Sequence, residues 1–267
     1  MRRPAGRASR FRLTARNTAM QKRRLPRALA PVSLRLMKTI GMLGGMSWES
    51  SAVYYRLLNR DVQGLLGGVA SAKAILHSFD FAEISVLQRP GDWEEANRRM
   101  AEAAQGLERA GADFVIMCCN TMHCATQRIE KSIHIPFLHI ADPLGAAIDR
   151  ARMRRVALLG SSHTMERDDI LLGRLKDGYG LDVIVPEGAE AAEVSRVIYD
   201  ELVRGQFLES SRAKYRAVIA GLVARGAEGV ILGCTELPLL VKPEDCAVPL
   251  FDTTTLHATA AVDLALA

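Results

Sequence analysis

The sequence predicts an α/β protein made of two pseudo-symmetric halves. Each half is a parallel-sheet α/β/α layer domain, and the candidate active site lies in the cleft between them. Three observations predict this. First, one stretch is written twice: Gly106-Leu-Glu-Arg-Ala-Gly-Ala-Asp-Phe-Val-Ile-Met-Cys-Cys119-Asn-Thr121 and Gly221-Leu-Val-Ala-Arg-Gly-Ala-Glu-Gly-Val-Ile-Leu-Gly-Cys234-Thr-Glu236. Both run from a helix tail through a glycine turn and an apolar strand to a cysteine, 13 residues after the first glycine. Second, other landmarks recur. Ile40-Gly-Met-Leu43 before Gly44 matches Val156-Ala-Leu-Leu159 before Gly160, and Ile135-Pro-Phe-Leu138 matches Val248-Pro-Leu-Phe251. The three offsets are 116, 115 and 113 residues. Third, short apolar strands alternate with amphipathic helices over short links, the pattern of parallel sheets with right-handed crossovers. Ligands of such sheets bind at the carboxyl ends of the strands, where both cysteines fall.

The boundaries that follow are a basic extension over 1–36, a first half over 37–150 and a second over 151–267, with the last helix able to pack back on the first half. The chain has 267 residues, 49 % hydrophobic and 24 % charged. No run approaches the roughly 18 apolar residues of a membrane span. Five cysteines, three of them at Cys118, Cys119 and Cys124, argue against a disulfide framework and for a reducing cytoplasm. The net charge of +5 misleads: eleven Lys/Arg and no acidic residue fall in 1–36, which leaves the remainder at −6. Nucleic acid and membrane are therefore not expected partners. The Arg-rich, proline-interrupted stretch before Met37 reads as a disordered extension, with an organellar transit peptide as the alternative.

Ile40–Leu43 is the first strand. Gly44-Gly45 turns the chain into a helix that Ser47 can cap, and Val53, Tyr54, Leu57 and Leu58 give that helix a buried stripe. A glycine turn before a helix N-terminus suits an anion, although it lacks dinucleotide-binding spacing. Ala74–Ser78 is the second strand, followed by a loop over 80–89. Asp92 and Glu95 form a capping box for a helix running to Arg109. Phe114–Met117 is a strand buried on both faces. Thr121 starts a helix toward Glu130, Pro136–Ile140 is a fourth strand, and Asp142 caps the helix to Arg150. In the second half, Val156–Leu159 is followed by Ser161, Ser162 and Thr164, whose hydroxyls replace the glycine-rich turn. Asp182–Val185, helices over 190–204 and 210–225, Val230–Leu232, the strand at Val248–Phe251 and a helix from Thr253 complete the repeat.

Two cysteines at matched strand ends admit three chemistries. Metal binding has donors in Cys118, Cys119, His123 and Cys124 but lacks paired C-x-x-C spacing; no metal is expected. Redox chemistry also favours C-x-x-C. Proton transfer fits better. A thiolate beside helix N–H groups has its pKa lowered from about 8.5 toward neutrality, which suits a general base. Two such groups on opposite faces of one carbon remove and deliver a proton without a cofactor. Asn120, Thr121 and Thr235 supply polar contacts beside the sulfurs. Cys118, one residue before the motif cysteine, points to the other side of the sheet. Cys124 and Cys246 are read as ordinary packing residues.

Gly44-Gly-Met-Ser-Trp-Glu-Ser50, Cys119-Asn-Thr-Met-His123 and Gly233-Cys-Thr-Glu236 resemble the motifs of the aspartate/glutamate racemases, within the PLP-independent Asp/Glu/hydantoin racemase superfamily. The resemblance runs from Met37 to about Ala267. It implies a cofactor-independent two-base mechanism on aspartate or glutamate, with Cys119 and Cys234 as the bases. It also implies substrate contacts from Met46, Ser47, Asn120, Thr121, Met122, Thr235 and Glu236, and from Gln88 with Arg89 beside it. Some relatives carry threonine in place of Cys119 and are expected to work in one direction, so the two cysteines here imply reversibility. Many aspartate racemases place a lysine near Ile198-Tyr199, which this chain lacks. Dimers are common in the resembled family. Hydantoin racemase, maleate isomerase, arylmalonate decarboxylase-like chemistry and a non-catalytic acid-binding module are the alternatives.

Overall fold

A computed structural model describes residues 37–88 and 93–267. The basic extension, Arg89 and Asp92 lie outside the described residues. Two four-stranded sheets, all parallel, share one topology. The first is ordered β2-β1-β3-β4 and comprises β1 (Ile40–Gly44), β2 (Ala74–Ser78), β3 (Phe114–Met117) and β4 (Phe137–Leu138). The second is ordered β6-β5-β7-β8 and comprises β5 (Arg155–Leu159), β6 (Asp182–Ile184), β7 (Val230–Leu232) and β8 (Leu250–Asp252). The inner strands β1, β3 and β7 are buried throughout, as unbroken apolar runs require when both sheet faces are covered. Cys118 N–H donates to the Leu43 carbonyl at 2.8 Å, and Gly233 N–H donates to the Leu159 carbonyl at 2.7 Å. Each cysteine loop is thereby fastened to the turn after its neighbouring strand in the same way.

The covering helices of the first half are α1 (Trp48–Leu66), α2 (Phe81–Leu87), α3 (Trp93–Arg109), α4 (Thr126–Ser132) and α5 (Ala141–Arg150). Those of the second are α6 (Ser162–Glu166), α7 (Gly173–Tyr179), α8 (Gly188–Asp200), α9 (Glu209–Ala224), α10 (Leu237–Leu240) and α11 (Thr253–Leu266). In α3, Ala96, Met100, Ala103, Ala104 and Leu107 recur at helical spacing and are buried. The last helix crosses to the first half: Ala258, Ala261, Val262 and Ala265 share a core with Tyr54, Leu58 and Val62 of α1. Among the described residues, no helix is long and apolar enough to cross a membrane.

Several elements depart from the sequence reading. The loop expected over 80–89 contains α2. Asp80 caps it by accepting from Ala82 N–H at 2.9 Å, and Ile84 anchors it in the core. The capping box of Asp92 and Glu95 lies partly outside the described residues; within them, Arg98 and Arg99 bind the Glu95 carboxylate at 2.7–2.9 Å. Asp142 lies in the first turn of α5 rather than capping it, and its carboxylate grips Arg174 at 2.6 and 2.8 Å. The fourth strand shrinks to two residues because the chain turns at His139, whose Nδ1 accepts from Ala141 N–H at 3.0 Å. Thr121 opens a 3₁₀ turn over Thr121–Ala125 before α4 begins. The helix expected over 190–204 ends at Asp200, and a 3₁₀ turn, Leu202–Arg204, follows it.

Candidate active site

At the carboxyl ends of β1, β3, β5 and β7 a small cleft opens between the halves. Both motif cysteines line it. Cys118 does not: it is fully buried on the opposite side of β3, packed with Tyr54 and Ile116. The metal reading loses its donors as well. His123 has both ring nitrogens engaged, Cys124 Sγ turns to Asn97 Oδ1 at 3.5 Å, and no metal-holding group of His, Cys, Asp or Glu occurs among the described residues.

The turn that delivers α1 to the cleft depends on two glycines. Gly45 has φ +86°, and a side chain there would overlap the backbone of Phe79. A Cβ at Gly44 would meet Ser51, whose hydroxyl accepts from Gly45 N–H at 2.8 Å. Ser47 caps α1 by accepting from Ser50 N–H at 3.3 Å.

Each cysteine loop is bonded to the first turn of the opposite half's first helix. Thr121 Oγ1 lies 3.2 Å from Ser161 Oγ and 3.1 Å from Thr164 Oγ1. Thr235 Oγ1 lies 2.5 Å from Ser50 Oγ. Asn120 Nδ2 donates to Thr253 Oγ1 at 3.2 Å, and the Thr253 hydroxyl donates to the Leu232 carbonyl at 2.9 Å. That chain fixes the amide orientation and leaves Asn120 Oδ1 buried with no partner among the described residues. Beneath Cys119, His123 accepts from Ile140 N–H on Nε2 at 3.2 Å, so Nδ1 carries the proton and donates to the Cys119 carbonyl at 2.8 Å. Burial and the neighbouring His257 hold His123 neutral, with its pKa down at about 3.

The two sulfurs sit in different fields. The pKa of Cys119 is pushed up to about 11, first by burial and also by the Glu236 charge, while the Met122 and Thr121 amides pull it back down. The pKa of Cys234 is raised well above the ordinary thiol value by burial, by the Glu236 charge and by its hydrogen bond to that carboxylate; the Glu236 amide opposes this. The thiol donates to Glu236 Oε2 at 3.0 Å. The expectation of a thiol pKa lowered toward neutrality therefore fails for the ligand-free cleft: helix amides are present at Cys119, but desolvation outweighs them. Both cysteines keep a partly exposed face on the cleft, so water tempers this penalty until a ligand displaces it.

Of the residues expected to contact substrate, Met46, Ser47, Gln88, Asn120, Thr121, Thr235 and Glu236 all line the cleft. Met122 does not. Its side chain is fully buried in the first-half core, and only its amide reaches the site, at Cys119. Sequence reasoning missed Ser50, Phe81 and Val203, and singled out Ile198 and Tyr199 only as the place where relatives carry a lysine; with Ser161 and Gly233 these complete the wall. Ser50 stands inside the Gly44–Ser50 motif and was within reach; Phe81 and Val203 carry no motif.

The description "Asp/Glu/Hydantoin racemase" belongs to the family model that matches residues 43–261. A Yersinia pestis protein assigned to the Asp/Glu racemases is similar to this chain at 46 % identity and TM-score 0.82, over 86 % of this chain and 100 % of that one. An aspartate racemase homologue from Pyrococcus horikoshii OT3 is similar at 33 % identity and TM-score 0.75, over 86 % and 99 %. The broad specificity amino-acid racemase RacX of Bacillus subtilis (strain 168) is 22 % identical over 85 % of this chain and 98 % of its own.

Proposed function

The chain belongs to the Asp/Glu/hydantoin racemase family, and from that premise we propose that it racemises an α-amino acid, aspartate or glutamate in the first instance, with Cys119 and Cys234 as the two bases. One sulfur, as thiolate, takes the Cα proton from its side. The other, as thiol, delivers a proton to the opposite face of the carbanion, and the product is the mirror image. No redox change and no leaving group is involved. The observation that carries this reading is the entry of two equivalent cysteine loops into one cleft from opposite halves.

Support for the remaining roles is chemical. The unpartnered Asn120 Oδ1 is an acceptor suited to the substrate ammonium group. Hydroxyls of Thr121, Thr235 and Ser47, with the amides around Cys119, suit the α-carboxylate and the enolate-like charge that develops on it. Filling the cleft displaces water, which strengthens these contacts and makes proton transfer between sulfur and carbon direct.

A second reading concerns the side chain. Among the described residues no Lys or Arg lines the cleft, whereas Phe81, Ile198 and Val203 do. The apolar side chains in that wall offer a second carboxylate no hydrogen-bond partner. This favours uncharged side chains and accords with the broad specificity of the Bacillus relative. The test is Cα deuterium wash-in, followed by NMR, across both enantiomers of aspartate, glutamate, methionine, leucine and homoserine. Exchange with racemisation and no carbon dioxide release is expected. Decarboxylation, double-bond isomerisation, or binding without exchange would each replace the proposal with one of its relatives.

A further inference from the structure

The two repeats diverge at one position that matters for proton placement. Thr121 of the first half corresponds to Glu236 of the second, so a carboxylate stands beside only one of the two sulfurs. Glu236 Oε2 accepts from Cys234 Sγ at 3.0 Å and from Thr235 Oγ1 at 2.7 Å. Oε1 faces Ser47 Oγ at 3.3 Å and Ser50 Oγ at 3.4 Å. Every donor to this buried carboxylate is a hydroxyl or thiol, and none of the ion pairs among the described residues includes it. Among the described residues its charge meets no cation, and the hydrogen bond brings it directly against Cys234. Cys119 feels the same charge from farther off, without a hydrogen bond to it, and receives the Met122 and Thr121 amides. A two-base inversion needs one thiol and one thiolate at the start of each turnover, and a symmetric site has no means of choosing between them.

We infer that Glu236 makes that choice: by accepting the Cys234 S–H bond it holds Cys234 as the resting acid and leaves Cys119 as the sulfur that becomes the base. Glu236 is thus a positioning residue, acting through Cys234, and the inference rests on the two-cysteine reading above. The proton balance is simple. At rest both sulfurs are thiols; in the form that turns over, Cys119 has released its proton to solvent and Cys234 keeps its own. Cys119 takes the Cα proton, Cys234 gives its proton to the other face, and the pair ends as Cys119 thiol and Cys234 thiolate. That product form places a thiolate beside the Glu236 carboxylate, a like-charge pair that drives reprotonation of Cys234 after release. The other titratable groups facing Cys234 are Cys119 across the cleft, Tyr199 from α8 and Tyr215 from α9.

The test does not depend on knowing the substrate. Cys234 shares its C-terminal tryptic peptide with Cys246, because Lys242 precedes a proline, so its alkylation by iodoacetamide is followed over pH 6.5–9 by fragment-ion mass spectrometry that separates the two. In the wild type Cys234 should label more slowly than Cys119 throughout. Glu236→Gln removes the charge and should raise the Cys234 rate about three- to tenfold, the effect of roughly one pKa unit softened by the lower nucleophilicity of a more acidic thiol. Glu236→Asp keeps the charge and should stay near wild type. With substrate, Glu236→Gln should bring the KM values of the two enantiomers closer together, because neither resting form is then favoured. Unchanged or slower Cys234 labelling in Glu236→Gln overturns the inference even if the protein racemises. A wild type that exchanges no Cα proton on any substrate, with the labelling pattern intact, overturns the two-cysteine reading instead. Buried Cys118 reports folding: if Glu236→Gln exposes it to alkylation, the wild-type comparison decides, and Cys234 labelling as fast as Cys119 is the contrary result.

Discussion

Lowering the pH from 6.5 to 5 should cost this protein much of its stability, because three buried histidines are held neutral beneath the Cys119 loop. His123, His139 and His257 are each at most 2 % exposed, and His123 has its ring centroid 4.6 Å from that of His139 and 5.9 Å from that of His257. Their bonds fix the neutral tautomers. His257 Nε2 donates to the Leu138 carbonyl at 2.9 Å, so its Nδ1 accepts from the Tyr54 hydroxyl at 2.9 Å. His139 Nδ1 accepts from a backbone amide. Burial lowers the pKa of all three, His123 to about 3 and His257 to about 4, and charging any one repels the others. The unfolded chain, with histidine near 6.5, takes up protons first. Stability is therefore fully present above pH 6.5 and is lost as pH falls. Each histidine contributes a limiting slope of about 1.4 kcal/mol per pH unit. Three give about 4 kcal/mol per unit, or roughly 6 kcal/mol by pH 5, against a typical total of about 5–15 kcal/mol. Urea melts followed by circular dichroism at half-unit pH steps measure the slope. His139→Asn, which can still accept the Ala141 amide through its side-chain oxygen, should reduce it by about a third. A slope below about 1 kcal/mol per unit, or an unchanged slope in the variant, would refute the reasoning.

Other outcomes follow from the same geometry. Gly45→Ala should destabilise by about 2–4 kcal/mol in thermal or urea melts, since it combines a positive φ with overlap on Phe79. Tyr54→Phe leaves His257 Nδ1 without its donor and should cost about 1–3 kcal/mol in the same assay. Turnover at saturating substrate should rise from pH 7 toward pH 9, because both thiols are pushed above their ordinary range and the thiolate fraction grows with pH; a rate that falls over this interval would contradict that protonation scheme.

How far the sequence alone reached depended on whether a feature repeats locally. The cysteine loops were legible because strand, turn and sulfur recur within 16 residues at a fixed interval. The parallel sheets were legible because β1, β3 and β7 are uninterrupted apolar runs. The stretch between Thr164 and Asp182 gave no reading. A π-helical turn over Asp168–Leu172 carries five residues before its hydrogen bond closes, and so shifts the phase of Ile170 and Leu171 relative to Leu175. Met122 was named with the resembled motif; one step along a 3₁₀ turn rotates its side chain into the core and leaves only its amide at Cys119. The hydroxyls around Glu236 were out of reach for another reason: Ser47 and Ser50 come from a point 189 and 186 residues away, and no local pattern encodes such a meeting.

The central claim is that Cys119 and Cys234 serve opposite faces of one carbon. It is tested most directly by Cys119→Ser and Cys234→Ser, each offered the separate enantiomers of a turned-over amino acid in deuterium oxide, with Cα exchange and optical inversion recorded together. Each single substitution should abolish inversion in both directions, and any residual exchange should be confined to one enantiomer with retention of configuration, a different enantiomer for each variant. Inversion persisting in either variant, or in the double variant, would contradict the account.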